Sequence, residues 1–147
     1  MSLKLTDAFM LKNSALGHDQ VLEHLRLILQ RFLVQTDASR FYIGMTADVE
    51  RRRQEHEEKK PEFTLMCVIH EEPPHMTTGI NLDDLESEAI ARFRSGLTNP
   101  SNGRSLRCTN DQRGSARKQW LYILVDPKDV SRIPATSTLP YGPSLRT

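Results

Sequence analysis

Little in this sequence belongs to the commonest chemistries. There are only two cysteines. Cys67 sits in an apolar, strand-like run and Cys108 in a polar stretch, so neither a disulfide framework nor a four-cysteine zinc site is available. A zinc site from Cys67, His70 and His75 is disfavoured, because strict alternation along a strand puts Cys67 and His70 on opposite faces and no fourth ligand is evident. No apolar run is long enough to cross a bilayer, so no membrane role is expected. Met1-Ser2-Leu3-Lys4-Leu5 lacks the apolar stretch and cleavage site of a secretion signal, which makes the cytoplasm the expected compartment. Phosphate-binding glycine loops, nucleophile elbows and dinucleotide fingerprints are missing.

Charge of one sign is also scarce as a total: the formal net charge is +1. Its distribution is uneven. Arg104, Arg107, Arg113, Arg117 and Lys118 lie between Gly103 and Lys118 against the single acid Asp111. Such a segment is either a contact for a nucleic-acid backbone or an ordinary solvated loop. With 147 residues, 37% hydrophobic and 27% charged, the chain has the composition of a globular protein that buries one core with extensions.

Periodicity supplies the elements. Val21, Leu22, Leu25, Ile28, Leu29 and Phe32 recur at helical spacing and predict an amphipathic helix over Asp19 to Phe32. Phe32-Leu33-Val34-Gln35 and Arg40-Phe41-Tyr42-Ile43 flank a polar turn and read as two short paired strands. Thr46 is placed to cap a helix running to about Lys59, with Pro61 as its stop. Phe63, Leu65, Cys67 and Ile69 mark a third strand, and Asn81 is placed to cap a helix that ends before Gly96. Trp120-Leu121-Tyr122-Ile123-Leu124-Val125 reads as a further, mostly buried strand, and the tail from Pro134 as extended.

Helical geometry sorts the polar residues. At about 100° per residue, Arg52, Arg53 and His56 fall near the apolar Val49 while Arg51 points away, so Arg52 and His56 turn toward the sheet. In the later helix Glu86 lies within the stripe of Leu82, Ala89, Ile90 and Phe93, and Glu88 projects to solvent. A buried carboxylate needs a cation, either a divalent metal or an arginine.

Tyr42-Ile43-Gly44, then Arg52 ten residues after the tyrosine and His56 four later, with Glu86 and Asn99 downstream, form a constellation over roughly half the chain. From about Phe32 to Asn102 the sequence resembles the GIY-YIG nuclease domain. The resemblance implies an α+β fold: a small, mainly antiparallel three-stranded sheet flanked by helices, here with an added N-terminal helix and C-terminal strand. The expected division is 1–31 as N-terminal extension and helix, 32–126 as the nuclease-like domain and 127–147 as tail. The activity implied is DNA endonuclease chemistry with Mg²⁺ or Mn²⁺. Tyr42 and His56 would handle the proton, Arg52 the phosphate, Glu86 the metal and Asn99 the local geometry, with the basic segment on DNA. The first triplet departs from the family's pattern. Ten residues before Tyr42 stands Arg31-Phe32-Leu33, with Phe32 where a tyrosine is expected to act as general base. Without it, Tyr42, His56 or a metal-bound hydroxide must serve, or the domain is a binding module that no longer cleaves.

Overall fold

The structure, a computed structural model, describes residues 3–11, 18–71, 82–110 and 120–130. In chain order these form β1 (Lys4–Thr6), α1 (His18–Gln35), β2 (Arg40–Thr46), α2 (Val49–Lys59), β3 (Leu65–Glu71), α3 (Leu82–Phe93), β4 (Leu97–Thr98), β5 (Ser105–Cys108) and β6 (Trp120–Val125). The strands make one six-stranded mixed sheet in the order β1-β3-β6-β2-β5-β4. Two of its pairings, β1 with β3 and β2 with β5, are parallel, and the other three are antiparallel. The expected three-stranded, mainly antiparallel sheet is therefore corrected to a larger mixed one. The last strand is not an addition at the edge, because β6 lies between β3 and β2.

The difference from the expected sheet originates at α1. Its inward stripe continues through Leu33, which is buried, while Val34 faces solvent, so helix rather than strand is the state that hides the apolar positions of this segment. Phe32 is thus in the final turns of α1, where its carbonyl accepts from the Thr36 amide at 3.2 Å and the Thr36 hydroxyl at 2.6 Å. Its ring packs on Phe9 at 5.4 Å, in the core and not beside Tyr42. With that segment helical, the strand alongside β2 must come from elsewhere, and β6 pairs with it from Phe41↔Val125 to Thr46↔Trp120.

β6 shows no polar alternation because both of its faces are covered. Leu121, Ile123 and Val125 join the larger core with α1 and α3, together with Phe41, Ile43, Met45 and the N-terminal Phe9 and Leu11. Tyr122 and Leu124 join a smaller cluster on the other face with Leu3, Phe63 and Met66, against which Tyr42 and Val49 of α2 pack. Residues of the expected N-terminal extension therefore enter the same core and sheet as the rest.

Local signals fix the ends of α2 and α3. Asp48, not Thr46, caps α2 by accepting from the Arg51 amide, and the Thr46 hydroxyl instead accepts from the Asp48 amide at 3.0 Å. Beyond α3, Gly96 adopts φ 75°, a left-handed conformation suited to glycine, and its amide donates to the Phe93 carbonyl at 2.9 Å. A bulge between Val68 and His70 breaks the alternation of β3. It sets His70 opposite Leu121 and thus on the face that Cys67 shares with Ile123, the reverse of the expected arrangement. The Asn81 cap, the loop with Pro73, Pro74 and His75, and the tail from Pro134 lie outside the described residues.

Candidate active site

The α2-facing side of the sheet brings a tyrosine from each of two neighbouring strands to one histidine. Gly44 stands opposite Tyr122 in the β2–β6 register. A Cβ at Gly44 would come 2.5 Å from the Tyr122 Cζ and 3.0 Å from Cε1. A side chain at Gly44 would therefore displace the Tyr122 phenol, which lies across its backbone. His56 comes down from α2 onto this pair, its Nε2 2.6 Å from the Tyr122 hydroxyl. Its ring meets Tyr42 edge-on at 5.5 Å and lies 5.6 Å from that of Tyr122.

The electrostatics of the Tyr122–His56 pair favour its neutral form. Burial pushes the His56 imidazole down, the positive charges of Arg52, Lys60 and Lys59 add to that, and the result is a pKa of about 4. Burial pushes the Tyr122 phenol up; Tyr42, Glu86 and Glu55 push the same way, and Arg52 opposes them. At neutral pH the pair is thus phenol and imidazole. In the tautomer with its proton on Nδ1, the imidazole accepts the phenol proton at Nε2.

Arg52 lies one turn before His56 on the same side of α2. One of its terminal nitrogens donates to Glu55 at 3.1 Å, and its buried Nε has no hydrogen-bond partner among the described residues. Arg53 bridges Glu50 and Glu57, while Arg51 is largely exposed, so the helix face expected from geometry is the one observed. Glu86 of α3 is buried at 2% exposure and near enough for its charge to oppose ionisation of Tyr122, whereas Glu88 is exposed. The described residues hold no group of three or more His, Cys, Asp or Glu side chains arranged around a metal position. A metal here would have Glu86 as its one protein carboxylate, a donor set that suits Mg²⁺ only with phosphate and water completing the shell.

Asn99 is not brought to this cluster. It shapes the turn between β4 and β5: its Oδ1 accepts from the Ser101 amide at 2.9 Å and its carbonyl from the Gly103 amide at 2.8 Å. The parallel register of β5 with β2, Arg40↔Arg107, puts that turn off the start of β2, away from Gly44. The amide that does serve the site is Asn110, which is buried. It accepts from the Ile43 amide at 2.9 Å and donates to the Ile43 carbonyl at 2.8 Å, holding the peptide between Tyr42 and Gly44 as another strand would. Nothing in the local sequence distinguishes it from a turn asparagine.

Two arginines of the basic segment divide. Arg104 donates to the carbonyls of Leu33, Thr36 (2.5 Å) and Ala38 (2.8 Å), closing the C-terminal end of α1. Arg107 is exposed on β5, and Arg113, Arg117 and Lys118 lie outside the described residues. No described helix is long and apolar enough to cross a membrane. Comparison with protein-family models, with curated proteins and with solved structures finds no match.

Proposed function

We propose that this chain is a Mg²⁺- or Mn²⁺-dependent DNA endonuclease of GIY-YIG-like chemistry whose first tyrosine comes from β6 instead of from a strand preceding β2. The observation that carries the reading is the hydrogen bond between Tyr122 and His56 above Gly44. A phenol bonded to a neutral imidazole accepts a proton from water only if it passes its own proton on. As the water oxygen bonds to phosphorus, its proton moves to the Tyr122 oxygen, and the Tyr122 proton moves to His56 Nε2. The bond from phosphorus to the leaving oxygen then breaks, and that oxygen is protonated from solvent. Arg52 offsets the charge on the non-bridging oxygens through the terminal guanidinium nitrogen that does not bond Glu55. Glu86 is the residue that would hold the metal, which when bound supplies positive charge at the phosphate.

The low pKa of His56 fits this role once substrate is considered. Part of the lowering comes from Arg52, Lys60 and Lys59. A bound phosphodiester neutralises those cations, so the imidazole becomes more basic when there is a water to activate.

Nicking of supercoiled plasmid tests the reading. The wild-type protein should nick with Mg²⁺ or Mn²⁺, Tyr122→Phe should slow nicking by about 10² to 10⁴, and Glu86→Gln should abolish it. DNA binding without nicking in either metal would overturn the nuclease reading and leave a binding module.

A further inference from the structure

Arg52, His56 and Lys60 follow one another at four-residue spacing, so they form a single stripe along the sheet-facing side of α2 and its cap. Lys60 is the C-cap residue, and its amide donates to the His56 carbonyl at 2.7 Å. Its side chain turns back over the sheet, placing Nζ 4.6 Å from the centroid of the Tyr42 ring. The three arginines of the helix are each matched to glutamates: Arg51 and Arg52 to Glu55, Arg53 to Glu50 and Glu57. Lys60 makes no ion pair among the described residues. An ammonium over a phenol face is attracted by the ring's negative face, which orients it without pairing it to an anion. Its charge reaches the site, since Lys60 is among the groups that disfavour protonation of His56. Lys60 and Arg52 thus stand on either side of the histidine.

We propose that Lys60, held over Tyr42, is a second phosphate-binding residue that takes a nucleic-acid backbone phosphate neighbouring the one at Arg52. This rests on the nuclease reading. A strand passing over the stripe places phosphates along it, so the cation that no described carboxylate matches would meet an anion when nucleic acid is bound. Tyr42 then has a definite part, fixing the direction of an otherwise flexible lysine.

The test is fluorescence-anisotropy binding of a labelled DNA duplex across salt concentrations, with EDTA present so that no cleavage intervenes. Lys60→Gln should flatten the slope of log affinity against log salt by about 0.9, equivalent to about eightfold weaker binding at 0.1 M salt. Lys60→Arg should restore the slope, and Lys128→Gln, at an exposed site, should leave it unchanged. Wild-type binding with the same slope in Lys60→Gln overturns this inference while leaving the nuclease reading intact. No binding by the wild-type protein to duplex, single-stranded or branched DNA overturns both.

Discussion

The Tyr122 hydroxyl and His56 Nε2 are 2.6 Å apart although 66 residues separate them in the chain. Their contact depends on β6 entering the middle of the sheet, beside the strand that carries Tyr42 and Gly44. The strand holding the phenol follows the histidine helix in sequence, so on the proposed nuclease reading the order of parts would differ from the expected one while two tyrosines would still meet at the site.

This makes the position of the missing phenol testable. Phe32 is in the α1 core against Phe9, so Phe32→Tyr should not raise cleavage; it buries a hydroxyl and should lower stability by about 1 to 3 kcal/mol. Tyr122→Phe should lose the proton path while remaining folded. Plasmid nicking and urea unfolding on both variants check this. Faster cleavage by Phe32→Tyr would return the first strand to residues 32–35.

The close approach of Tyr122 to Gly44 predicts strong coupling between them. Gly44→Ala places a methyl group where the phenol lies and should cost about 1 to 3 kcal/mol through overpacking. In a Tyr122→Ala background that clash is gone, so the double mutant should be destabilised by less than the sum of the single changes. Additive losses in urea unfolding would mean that the ring and the glycine do not touch.

What the sequence made legible was local. Helical spacing located the buried sides of α1, α2 and α3, and it separated Glu86 from Glu88 and Arg52 from Arg51 through the 3.6-residue period alone. Strand pairing has no such local signature. Trp120 to Val125 was recognisable as a strand, but its place between β3 and β2 depends on distant partners, 60 residues earlier for Val125↔Leu65 and 78 for Tyr122↔Gly44. Phe32 to Gln35 is short enough for its apolar residues to suit either state, and burial of Leu33 against the core decided for helix. Asn110 was invisible because its function is a contact with Ile43, 67 residues away.

Acid should destabilise the protein in two stages. His56 is held down to about 4 by burial and then by Arg52, Lys60 and Lys59; His24 is lowered by burial, with its bond to the Phe9 carbonyl opposing and His70 adding. For both, the unfolded chain binds more protons below the ordinary histidine value near 6.5, so stability is full above it and falls as pH drops toward the folded value, about 4 for His56. Asp126 follows at lower pH. Burial would raise its carboxyl, but hydrogen bonds from Arg40 and Ser39 outweigh that and hold it below the ordinary value. Its contribution is present above the unfolded value and is lost as pH falls through the folded one. Urea midpoints at pH about 7, 5.5 and 4.5 should decline, and His56→Gln should show a shallower decline across the same interval. An unchanged slope would mean that His56 is not buried as a neutral group.

Arg104 and Arg107 look alike in sequence, both within the basic segment, yet they should separate in two measurements. The Arg104 guanidinium is spent on the carbonyls of Leu33, Thr36 and Ala38, which the end of α1 leaves without helical partners. Arg104→Gln should cost about 1 to 3 kcal/mol of stability, and Arg104→Lys should not fully rescue it, since one ammonium lacks the planar fork that reaches three acceptors. Neither change should alter the salt slope of DNA binding. Arg107 is exposed on β5, so Arg107→Gln should change stability by no more than about 0.5 kcal/mol. If its charge meets a phosphate, the slope flattens by about 0.9. Urea unfolding and salt-dependent anisotropy on the three variants decide the matter. A stable Arg104→Gln protein with a flattened salt slope would return Arg104 to the nucleic-acid surface.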